Sequence, residues 1–106
     1  MSTDRLQQLE AMYAENPKEL FVLYALALEH VKLGNEEQSL EYFENVLSVS
    51  RSYLPVFYQY AVFLHDKDIQ KAIMLCHEGI MLASKQNKSK TKVELLSLLA
   101  YLSDNN

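Results

Sequence analysis

The side chains that could do chemistry are few, and their spacing does not suit catalysis. Cys76 is the single cysteine of the 106-residue chain and its strongest nucleophile. His77 adjoins it, but consecutive residues on a helix point about 100° apart, so the two form no ready dyad. Cys76 also falls on an apolar stripe with Leu75 and Ile80, where a structural thiol is expected rather than an activated thiolate. His30, His65 and His77 show no metal-ligand spacing with Cys76 or with paired acids. Asp66 and Asp68 flank a turn, where helix capping accounts for them. With glycines only at 34 and 79, no glycine-rich phosphate loop can form. The expectation is of no catalytic residue, no metal, no cofactor and no small-molecule substrate; the chain does not read as an enzyme.

Composition narrows the class. Hydrophobic residues make up 49% and charged residues 23%, which excludes a disordered tail. Two glycines and two prolines are too few for an all-β chain, which needs turns every few positions. The longest apolar stretch, Leu20 to Leu28, is too short to span a bilayer. A polar start without an apolar run and a lone cysteine fit a cytoplasmic location. The net charge of −4 makes nucleic acid a poor partner. Charge is unevenly spread, however. Glu10 to Glu44 holds eight acids against Lys18 and Lys32, whereas Lys85, Lys88, Lys90 and Lys92 occur with no acid among them. The lysine stretch reads first as a solvated loop, and second as a feature that could orient a partner or favour head-to-tail contacts.

Six helices are predicted, near residues 4–15, 18–33, 36–50, 53–65, 67–85 and 90–103. Asn16-Pro17-Lys18-Glu19 has the order of a cap, a first-turn proline and a third-position acid. Gly34 ends that helix and Asn35 begins the next. Ser52 is a candidate cap ahead of Pro55, and Asp66 or Asp68 a cap for the fifth helix. Apolar stripes run through Leu20, Leu23, Ala27 and Val31, and through Leu40, Phe43, Val46 and Leu47. The last helix, with Val93, Leu95, Leu96, Leu98, Leu99 and Leu102, is apolar on most sides and needs covering.

The chain repeats itself. Shifted by 34 residues, Leu20, Val22, Tyr24 and Ala27 fall on Leu54, Val56, Tyr58 and Ala61, all identities. Past the turn the shift becomes 33: Leu40 falls on Ile73, Leu47 on Ile80 and Val49 on Leu82. Helix pairs of this length cannot hide their apolar faces alone, but stacked pairs can.

This pattern resembles the tetratricopeptide-repeat family, whose units are helix pairs of roughly 34 residues. Leu23, Leu26 and Ala27 match the family's first-helix pattern in one copy; Phe57, Tyr60 and Ala61 match it in the next. Gly34, Ser39 and Ala72, Phe43, Gly79 and Pro17 match further positions. His30, Leu64, Arg51, Val46 and Cys76 depart from it. The resemblance implies an all-α, right-handed array of helical hairpins in one domain. Residues 4–17 would be an N-terminal half-repeat, 20–52 and 54–86 two repeats, and 90–103 a capping helix.

The resemblance also implies a function. First helices of such repeats line a concave face that holds a peptide or helix of a partner protein. Here the candidates are Phe21, Tyr24, Ala25, Leu28 and Lys32, then Tyr58, Gln59, Val62 and His65. Whether Tyr24 and Tyr58 are open or packed stays undecided at this point. Some members grip a C-terminal carboxylate with basic side chains. Only Lys32 could serve so here, which favours an apolar or amphipathic segment instead. The alternative is a structural role, as a homo-oligomer or a subunit of an assembly with that face occupied. Gly79, costly in mid-helix by about 1 kcal/mol, points to close approach of a neighbouring helix. On sequence grounds Gly79→Leu would overpack, while Gly79→Ala would be neutral or stabilising.

Overall fold

The computed structural model describes residues 2–104. Among the described residues there are six helices and no strand: α1 (Ser2–Glu15), α2 (Leu20–Leu33), α3 (Glu36–Val49), α4 (Pro55–Leu64), α5 (Ile69–Lys85) and α6 (Ser89–Asp104). They divide into two compact units, Met1–Tyr53 and Leu54–Asn106.

The first unit is α1 to α3. Gly34 stops α2 at φ 80°, a conformation glycine adopts without a Cβ penalty. The turn is closed by Asn35 N–H donating to His30 O and Gly34 N–H to Val31 O, the two bonds of a Schellman cap. Asn35 then precedes α3, but its side chain caps nothing. Its amide instead meets His30 Nδ1 at 3.0 Å, while Ser39 Oγ donates to Asn35 O. The expected Asn16 cap is also absent. Asn16 Oδ1 accepts from Lys18 N–H in a turn ahead of the helix, and α2 begins only at Leu20. Leu9 of α1 packs with Val22, Ala25 and Leu26 of α2, and Leu6, Tyr13 and Tyr42 close over them. Glu29 is 4% exposed with Oε1 3.3 Å from Arg5 Nε, so α1 supplies the cation that the carboxylate needs. Its Oε2 has no hydrogen-bond partner among the described residues. Removing Arg5 would strand a buried charge.

The second unit is α4 to α6. Pro55 occupies the first turn of α4, where its missing N–H costs nothing. The N-cap position is Leu54, so Ser52 stands two residues ahead of it, where its N–H donates to Ser50 Oγ. Asp68 does cap α5, accepting from Lys71 N–H at 3.1 Å. The expected lysine loop is in fact a tight turn. Asn87 takes φ 58°, Lys88 N–H donates to Ala83 O and Asn87 N–H to Ser84 O, the Schellman pattern again with asparagine in place of glycine. The helix resumes at Ser89.

The two cores carry their volume differently. At matching positions of the repeat, the first unit has Leu23 and Leu26 on its leading helix with Phe43 and Val46 on the next. The second has Phe57 and Tyr60 with Cys76 and Gly79. All eight are buried. Where the leading helix gains a ring, the following helix gives up side chain. The departures at Val46 and Cys76 are thus volume compensation in a close-packed interior. Leu40 and Val31, expected in the stripes, are exposed instead.

Gly79 marks the tightest point. A Cβ built there would lie 2.9 Å from Phe57 Cβ and 2.9 Å from Leu95 Cδ1. The leucine tip can move, but Phe57 Cβ is fixed to the α4 backbone. This corrects the expectation for alanine, because propensity gained in the helix is outweighed by overpacking of about 1–3 kcal/mol. Gly79→Ala should lower the melting temperature by several degrees, and Gly79→Leu should lower it further or prevent folding. A thermal melt followed by circular dichroism checks both.

Candidate protein-binding surface

The sequence-derived candidates are set out by helix geometry. On α2, Phe21, Tyr24, Leu28 and Lys32 recur at helical spacing along one face. Phe21 is 56% exposed, Tyr24 and Leu28 are half-buried and Lys32 is exposed. Ala25 does not belong with them: it is buried in the core cluster with Leu9. On α4, Tyr58, Gln59 and Val62 are half-buried, and His65 is exposed just past the helix end. The His65 ring pairs through Nδ1 with Val62 O at 2.8 Å, which fixes its orientation.

Tyr24 is both packed and accessible. Its ring meets Tyr53 edge-on, centroids 5.6 Å apart. Burial, then the neighbouring Tyr53, raises its pKa above 10.0. Tyr53 is raised as well, by burial and by Glu19. Sequence reasoning missed Tyr53 as a support, since nothing in periodicity links residues so far apart. It also missed a second aromatic group on the first unit. His30 stacks on Tyr42 with rings 5° from parallel, and Tyr42 meets Tyr13 edge-on. His30 is buried and held by Asn35, so it is a packing residue. Burial raises the Tyr42 pKa too, followed by Tyr13, Glu10 and Glu41.

The potential reactive groups are placed against chemistry. Cys76 is buried and its thiol is pushed up from 9.0 to about 11 by desolvation. His77 is exposed, about 100° round α5 from Cys76. Asp66 is held below the usual carboxylate range first by its hydrogen bond from Lys67 Nζ, at 3.1 Å. Lys67 also reaches Phe63 O and lies over the Phe63 ring, which ties down the end of α4. Among the described residues no group of three His, Cys, Asp or Glu could hold a metal ion. Nor is any described helix long and apolar enough to cross a membrane.

No family model and no curated protein matches the sequence. Solved structures do. The crystal structure of a tetratricopeptide repeat domain protein from Salinibacter ruber superposes with a TM-score of 0.77 at 26% identity, covering 83% of this chain and 99% of that one. The solution NMR structure of a tetratricopeptide repeat domain protein from the same organism gives a TM-score of 0.80, also at 26% identity, covering 86% and 93%. The chain has the tetratricopeptide-repeat fold. Helix pairs of the tetratricopeptide type fit the volume exchange described above, since both copies follow one register with different residues.

The raised Cys76 pKa has a consequence for stability. Folding holds the thiol protonated where the unfolded chain would ionise. Its contribution is therefore complete below pH 9 and is lost as pH climbs from 9 through about 11. The raised tyrosines act in the same direction from about pH 10. Urea unfolding between pH 8 and 11 should show this decline, shallower in Cys76→Ala. A thiol reagent at about pH 8 should label Cys76 only after unfolding.

Proposed function

We propose that the chain is a non-catalytic protein-interaction module that binds a peptide or helix of a partner through the faces of α2 and α4. The fold supports this in general terms, and Phe21 supports it in particular. A phenylalanine 56% exposed at the head of the Tyr24–Leu28–Lys32 stripe offers apolar area open to solvent. Tyr24 and Tyr58 add large, stiff rings with a hydroxyl each, the kind of side chain that dominates recognition surfaces. Lys32 is the single cation among them, so an apolar or amphipathic segment suits this surface better than a terminal carboxylate.

Residues 4–17 act in this reading as a half-repeat that covers one side of α2, residues 20–52 and 54–86 as repeats and 90–103 as a cap. The buried thiol of high pKa argues for a structural cysteine and against a nucleophile. A reducing, cytoplasmic setting agrees with it. Phe21→Ala combined with Tyr58→Ala should leave the melting temperature within a few degrees of wild type. The same variant should lose, by tenfold or more, the partner that wild-type protein captures. Undiminished capture by a folded double variant would move the binding surface elsewhere.

A further inference from the structure

The face of α6 turned away from its own core is complementary to itself when reversed. Val93, Leu96 and Tyr101 stand 60%, 45% and 56% exposed there, with exposed Ser97 and Ala100 among them. Seven residues make close to two helical turns, so Lys90, Ser97 and Asp104 run down the middle of this face. A base sits at its start, a small residue at its centre and an acid at its end. Val93 and Tyr101 lie four residues to either side of Ser97. The buried Leu95 and Leu102 hold the opposite side of the helix in the core, which fixes which face looks outward.

We propose that α6 pairs with α6 of a second copy as an antiparallel, two-fold dimer centred on Ser97. In that register Lys90 of each copy meets Asp104 of the other, and Val93 meets Tyr101. The positive start of each helix dipole lies beside the negative end of its mate. Ser97 meets Ser97 at the centre and lets the two backbones come close there, while Ala100 makes room for exposed Glu94 of the mate. An isologous contact of this kind closes on itself and stops at two copies. It uses none of the α2 or α4 residues assigned to partner binding, so either reading can fail without the other. One helix face per copy is small beside the roughly 800 Å² that each partner gives to a stable interface. The dimer is therefore weak and weakens further with salt.

Sedimentation equilibrium from micromolar to near-millimolar protein should show a monomer–dimer equilibrium. Lys90→Asp alone puts two acids opposite each other, and Asp104→Lys alone puts two lysines there. Each single variant should associate at least tenfold more weakly while keeping the wild-type circular dichroism spectrum. An equimolar mixture of the two should regain wild-type association, because the mixed pair restores both opposite-charge contacts. Ser97→Cys should oxidise to a disulfide-linked dimer, with Cys76 remaining buried and unlinked. Wild-type protein monomeric throughout would overturn the proposal. So would single reversals that dimerise unchanged, or a mixture that stays as weak as its components.

Discussion

Space between paired helices is the constraint on which the rest of this structure depends. Phe57 brings a ring to α4, and α5 can lie against it only because position 79 has no side chain. Leu95 of α6 reaches the same point from the other side. A Cβ at 79 would stand 2.9 Å from both neighbours, well inside ordinary contact. The first unit solves the same problem with the reverse allocation, smaller residues on α2 and larger ones on α3. Interiors packed to this density do not tolerate volume changed on one side alone. The residues of the second helices are accordingly set by what the first helices carry. That accounts for a buried cysteine at position 76.

Core volume is settled between helices, and the outer face of α2 is left partly open. Phe21, Tyr24, Leu28 and Lys32 are presented by a helix whose opposite side is anchored through Val22, Leu23 and Leu26. Tyr53 supports Tyr24 from one edge. α1 adds Leu9 to that anchor and Arg5 to neutralise Glu29, so the presenting helix is held on both its apolar and its charged contacts. In the proposed reading, ordering costs on this face are largely met before a partner arrives.

Much of this was legible in the sequence because it rests on local rules. Glycine at the end of α2 and aspartate ahead of α5 each have a short-range cause, and both are found as expected. Elsewhere a local rule lost to a competing local bond. Asn16 and Ser52 were plausible caps, but Asn16 closes a turn of its own and Ser52 falls two residues ahead of the Leu54 N-cap position. Asn87 went unread because asparagine enters the left-handed region less predictably than glycine, and a lysine-rich stretch looked like loop. The need for a small residue at 79 could be inferred, whereas the distance at which even alanine overpacks could not. For the proposed binding surface, helical spacing put the candidates of each helix along one face. It misassigned Ala25, whose fate depended on α1, and it could not foresee Tyr53.

In the proposed function the exposed faces of α2 and α4 receive a protein partner. Site-specific photocrosslinking in cells tests it most directly, with a benzoylphenylalanine in place of Tyr24 or of Tyr58 and, as control, in place of exposed Gln70. A discrete protein adduct at Tyr24 and at Tyr58, and none at Gln70, is the result expected. Folded variants that give no adduct at either tyrosine, or an equal one at Gln70, would contradict it.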